Sequence, residues 1–161
     1  MSRRVGGRLD DTLFERLSGR GVTERPQEAI LVATTDERGR AHPALLAYGE
    51  VLALTPTILR LAVSGGGTTA RNLRDRGALT LCLVGPDGAA YVKAAARALA
   101  PEPSLSAGGL AAFEARVEDV LADSPARGEE ARLTSGITYA AADPARHSRD
   151  AIARLEALRR A

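Results

Sequence analysis

Six short runs rich in apolar and β-branched residues follow one another between Ala29 and Leu99, and a single helix-length segment interrupts them. Ala29–Thr35 (AILVATT) and Ala41–Tyr48 flank Asp36-Glu37-Arg38-Gly39, a turn signal, and read as a hairpin. Val51–Leu54 and Ile58–Val63 flank Thr55-Pro56-Thr57 and read as a second. In the latter run Leu59, Leu61 and Val63 alternate with Arg60 and Ala62, so one face turns inward. Ala78–Val84 and Ala89–Leu99 flank the tight turn GPDG, residues 85–88. Parallel α/β chains alternate strand and helix throughout, and this one does not. The order predicts a mainly β, antiparallel barrel with peripheral helices.

Before the barrel, Asp10–Ser18 is predicted helical: Leu9, Leu13, Phe14 and Leu17 share a face and Gly19 ends it. Polar residues 20–27 read as a connector. Beyond Leu99, Pro101 and Pro103 break the chain. The spacing of Leu110, Phe113, Val117, Val120 and Leu121 predicts a helix. Arg132–Ala141 reads as a seventh strand with Gly136 as a bulge. Asp143 and Pro144 cap a final helix whose stripe of Ile152, Leu155 and Leu158 is narrow enough for a partner chain or the surface. The 161 residues are expected to form one domain: a helical arm (1–27), a barrel core (28–100) and a helix, strand and terminal helix (101–161).

Composition removes several function classes. Aromatics are 3% and Trp is absent, so there is no stacking platform for nucleic acid. The net charge of +2 arises from interspersed Arg, Asp and Glu, the signature of a solvated surface, and the arginines near both ends are read the same way. The one cysteine, Cys82, excludes a disulfide framework and is read as a packing residue. His42 reads as an exposed strand-end residue, and His42, His147 and Cys82 are too few for a zinc site. No apolar run is long enough to span a membrane, and MSRRVGGRLDD lacks the apolar core of a signal peptide, so a cytoplasmic protein without membrane or nucleic-acid partners is expected.

Ser64–Leu73 (SGGGTTARNL) is the segment with chemical potential. Three glycines lead from a strand into a helix, with Thr68 or Thr69 as N-cap and Arg71 and Arg74 nearby. A helix N-terminus of this kind suits a phosphate, although an ordinary flexible loop with a cap has the same composition. It is not a Walker loop, since Gly67 leads straight to Thr68, and the dinucleotide fingerprint has a different spacing. No nucleophile elbow or marked carboxylate pair occurs. An enzyme built on this sequence needs a cofactor to carry its chemistry.

ILVATTDERGRAHPALLAY resembles the first hairpin of the flavin mononucleotide (FMN)-binding split-barrel family, the pyridoxamine 5′-phosphate oxidase-like group. ILRLAVSGGGTTARNLRDRGALTLCLV resembles that family's next strand, phosphate loop, short helix and strand, and AAYVKAAARAL the strand that follows. The resemblance implies a homodimer with flavin in clefts between subunits. It implies Ala44, Leu45 and Leu46 beside the isoalloxazine, Val63 and Ser64 presenting backbone and hydroxyl groups, and Thr68, Thr69 and Arg71 on the phosphate. It places Tyr91 or Lys93 against the ring. Many members of the family carry Lys where Thr69 stands, and here Arg71 or Arg74 would supply the charge. A glycine common in the later strand is Ala96, and the Trp- and Arg-containing end of the true oxidase has no counterpart. The expectation is a flavin-dependent oxidoreductase of unspecified substrate. The alternative is a non-enzymatic sensor or store, since some relatives use deazaflavin or bind haem.

Overall fold

The computed structural model describes residues 3–24, 27–86, 88–124 and 133–161. Among them nine strands form one antiparallel sheet: β1 (Arg3–Gly6), β2 (Glu28–Thr35), β3 (Ala41–Ala47), β4 (Val51–Thr55), β5 (Ile58–Ser64), β6 (Ala78–Gly85), β7 (Gly88–Ala98), β8 (Leu110–Asp123) and β9 (Ile137–Thr138). Four helices accompany them: α1 (Asp11–Leu17), α2 (Thr68–Arg76), α3 (Pro103–Ala107) and α4 (Pro144–Arg160). The strand order is β3-β2-β6-β7-β8-β5-β4, with β1 added to β8 and β9 to β2. The three expected hairpins are present. Asp87 of the third turn lies outside the described residues.

The two ends of this sheet, β3 and β4, are joined in sequence by a single 3-10 turn, Tyr48–Glu50. Four residue steps reach about 14 Å at most. The sheet therefore curls until its ends approach, and no ladder joins β3 to β4 among the described residues. Curling gives it an inside. Ala44, Val32, Leu81, Val92 and Val120 form one cross-strand row, and the last four are completely buried. The alternation of β6 resolves in the same way: Leu79, Leu81 and Leu83 face the core, and Cys82 is half-buried on the other face.

The first turn is built by Asp36, whose Oδ1 accepts from the N–H groups of Arg38 (2.9 Å) and Arg40 (2.8 Å), while Gly39 takes φ +76°. The Arg40 N–H above all, helped by the Arg38 N–H and the Arg40 guanidinium, holds the Asp36 carboxyl below its ordinary value against the opposing effect of burial. A depressed folded-state value means that the turn's contribution is present above the unfolded value of about 3.9 and is lost as pH falls through the folded one. Asp36→Asn is thus expected to be less stable than wild type at neutral pH. In thermal melts the gap should close as the solution is acidified below about pH 4; a constant gap would contradict this role.

The segment expected to be a helix at 110–121 is the longest strand, β8. Its register against β7 shifts between Lys93↔Asp119 and Ala94↔Val117, so Glu118 is an extra residue, a bulge. Phe113, Ala115 and Val117 alternate inward, and after the bulge Val120 takes the next inward place. The skip from 117 to 120 turns a period of two into spacings of four and three at Phe113, Val117 and Val120, which imitate a helix. β8 pairs with β7, β5 and β1, so the barrel ladder continues well past residue 100.

The C-terminal strand is shorter than expected, Ile137–Thr138, and Arg132 lies outside the described residues. Gly136 serves a close approach: a Cβ there would lie 2.3 Å from the Val84 carbonyl oxygen. Helix α4 starts at the expected cap, with the Asp143 carboxylate accepting from Arg146 N–H (2.9 Å). It packs on its own chain. Ala151 and Ala157 join Leu155 and Leu158 in the buried face, whereas Ile152 points outward. Ala151 sits against Gly49, where a Cβ would fall 2.5 Å from that of Ala151. Gly49→Ala is expected to overpack this seat and to cost about 1–3 kcal/mol in urea unfolding; an unchanged midpoint would mean that α4 is not docked there.

Candidate functional site

The face of the sheet opposite the core carries two adjacent cross-strand rows. Leu45, Leu31, Cys82, Tyr91 and Leu121 form the first, across β3, β2, β6, β7 and β8. Leu45 is 57% exposed and the rest are half-buried. Pro43, Ala33, Thr80, Lys93 and Asp119 form the second. A groove of about 380 Å³ runs along this second row, lined by Ala33, Thr80, Lys93 and the bulged Glu118 among others. The Asp119 carboxyl is held below its ordinary value by its hydrogen bond from Arg4 (2.8 Å) and by the charges of Arg4 and Lys93, against an opposing effect of burial. Leu45, Tyr91 and Lys93 are therefore brought to one face. Ala44 and Leu46 point inward, so only their main chain, on the open edge of β3, is available to a ligand. Val63 is buried in β5. His42 also lies on the inward face, half-buried opposite Thr34.

The glycine segment begins where β5 ends. Gly65 N–H donates to the Gly109 carbonyl (2.9 Å) and Gly67 N–H to the Ser64 carbonyl (3.0 Å), which closes a tight turn. A Cβ on Gly65 or Gly67 would lie 3.3 Å from those same two carbonyls, while Gly66 faces open space. The turn places Gly67, in extended conformation, at the N-cap, one residue earlier than the threonines expected there. Arg71 N–H closes the first helical bond on the Gly67 carbonyl (3.2 Å). The N–H groups of Thr68, Thr69 and Ala70 are left without an intrahelical acceptor. Ser64, Thr68 and Arg71 are exposed, and Thr69 is 9% exposed. The Arg71 side chain makes no ion pair or hydrogen bond with any described residue, whereas that of Arg74 is engaged by the Gly65 carbonyl (3.1 Å) and lies over the Phe113 ring. One turn on, the buried Asn72 amide donates to Thr34 Oγ1 (2.9 Å) and ties α2 to β2. Gly77 ends the helix at φ +60°, with the Ala96 carbonyl 2.8 Å from where a Cβ would sit.

No protein-family profile matches the sequence. It is 32% identical over 93 residues to the uncharacterised protein YclD of Bacillus subtilis, which takes in 58% of this chain and 60% of YclD. The chain thus spans under two thirds of that relative. The structure superposes on a candidate pyridoxamine 5′-phosphate oxidase of Lactobacillus delbrueckii with a TM-score of 0.56 at 16% identity, covering 73% of this chain and 98% of that one. An FMN-binding protein of Syntrophomonas wolfei gives a TM-score of 0.52 at 12% identity, covering 73% and 92%. The chain has the split-barrel fold of these proteins.

In this split barrel one polar cluster was not anticipated. A cleft of about 330 Å³ opens between the end of β3 and α4, lined by Leu45, Ala47, Glu50, Tyr139, His147 and Arg154 among others. Tyr139 Oη and His147 Nε2 are 2.6 Å apart, with their rings edge to face. Burial, and then the Glu50 carboxylate, push the Tyr139 phenol up, and Arg154 opposes them. The residues come from three separate parts of the chain. The one signal available in sequence was the spacing of His147, Ala151 and Arg154, which puts them on one helical face. Among the described residues no cluster of His, Cys, Asp and Glu is arranged to hold a metal ion, and no helix is long and apolar enough to cross a membrane.

Proposed function

We propose that this protein binds flavin mononucleotide and acts as a flavin-dependent oxidoreductase. The observation that carries the reading is the first turn of α2: three N–H groups without intrahelical acceptors, the unpaired Arg71 and the open Gly66, in a split barrel. Such a turn fits a phosphate dianion, which free N–H groups and a guanidinium stabilise by charge-assisted hydrogen bonds. Thr68 and Arg71 would hold the phosphate from the exposed side, with Thr69 contributing chiefly its N–H. Leu45 and Tyr91 would bed the ring on the outer face, with Lys93 in the neighbouring row. A bound flavin supplies hydride or electron transfer; the chain supplies position and charge.

The phosphate turn and the outer face line different cavities of one chain. A second copy placed over the row of Leu31, Leu45, Cys82, Tyr91 and Leu121 would complete a single cleft. It would also cover apolar surface that water now reaches. The working unit is accordingly read as a homodimer in the cytoplasm. Light scattering at micromolar concentration is expected to return twice the mass of the chain, and a monomer would remove the shared cleft. Turnover of a reduced nicotinamide by the flavin-loaded protein tests the oxidoreductase reading. Flavin retained without turnover would favour a sensor or store.

A further inference from the structure

The cleft between β3 and α4 holds two opposite charges that do not pair. The Arg154 side chain makes no ion pair or hydrogen bond with any described residue. Glu50 uses one carboxylate oxygen, Oε2, to accept from Ala47 N–H at 2.8 Å. Both line the same cavity, with Leu45 and Ala47 as an apolar floor. The two are held by one piece of packing, the seat of Ala151 on Gly49, which fixes Glu50 one residue along the turn and His147 and Arg154 one turn either side on the helix. The Tyr139–His147 pair forms the wall, and Tyr139 is itself anchored by its N–H to the Gln27 carbonyl (2.8 Å).

A simple anion would meet Arg154 but be repelled by Glu50, and a simple cation would meet the reverse. A ligand carrying both charges satisfies both. We propose that this cleft binds a small zwitterion, an α-amino acid with an apolar side chain, with its carboxylate on Arg154, its ammonium on Glu50 and its side chain on Leu45 and Ala47. The volume of about 330 Å³ lies at the small end of ligand sites and suits a molecule of that size. Leu45 also belongs to the outer row, so the ligand would lie beside whatever occupies that face. The proposal does not rest on flavin binding, and its test uses no flavin signal.

The test is isothermal titration calorimetry of the whole chain with L-leucine, L-leucinamide and N-acetyl-L-leucine. Saturable binding of leucine is expected, with the amide and the N-acetyl form each weaker by roughly tenfold or more, because each lacks one charge-assisted contact. Arg154→Gln should weaken leucine by a similar factor. Glu50→Gln should do the same while keeping an oxygen to accept from Ala47 N–H, and circular dichroism melts would show that both variants remain folded. Absence of saturable leucine binding up to ~10 mM would overturn the proposal. So would equal affinity for the three ligands, or folded variants that bind leucine as wild type does.

Discussion

Arg71→Ala is expected to weaken FMN binding by roughly ten- to a hundredfold and to leave riboflavin binding almost unchanged. The side chain is exposed and has no partner among the described residues, so its removal leaves no unsatisfied group in the fold. A charge-assisted hydrogen bond contributes about 1.5–3 kcal/mol, and about 1.4 kcal/mol corresponds to a factor of ten. Riboflavin lacks the phosphate and so reports any effect on the ring site or on folding. Fluorescence-quenching titrations with both ligands separate these cases. Equal losses would mean that Arg71 acts elsewhere than on the phosphate. No loss would mean that the phosphate charge is met by a group other than Arg71; Arg74, the next cation along the helix, is already held by the Gly65 carbonyl and the Phe113 ring.

Phe113→Ala is expected to cost about 3–5 kcal/mol in urea unfolding. Domains of this kind are stable by about 5–15 kcal/mol, so the variant should be close to unfolded at room temperature. Phe113 is completely buried, pairs with Leu61 of β5 and Ala98 of β7, and lies beneath the Arg74 guanidinium. It therefore links the middle of the sheet to the helix that carries the candidate phosphate turn. A cost under about 1 kcal/mol would place Phe113 outside the core and contradict β8 as a central strand.

Local signals carried the hairpins into the sequence. Asp36 and Gly39, and the alternation in Ile58–Val63, depend on residues close together in the chain, and so they could be read directly. The N-cap of α4 was legible for the same reason. β8 was misread because a single bulge at Glu118 converts strand spacing into helix spacing. β1 (RRVG) left almost no trace: three of its four residues are exposed, and it exists only because the edge of β8 accepts it. The face of α4 looked sparse since two of its four buried residues are alanines, and one of them, Ala151, is seated on Gly49 about a hundred residues earlier. In the glycine segment the residue types were readable. The N-cap was not, because the bond from Gly67 to Ser64 sets where the helix starts. The Tyr139–His147–Glu50–Arg154 cleft had no contiguous signature at all.

The phosphate-binding turn is the centre of this account, and a paired titration of the wild-type protein with FMN and with riboflavin tests it most directly. The prediction is that FMN binds at least roughly tenfold more tightly than riboflavin, with the difference shrinking as salt screens the phosphate contact. Equal affinity for the two, or binding of neither, would contradict it.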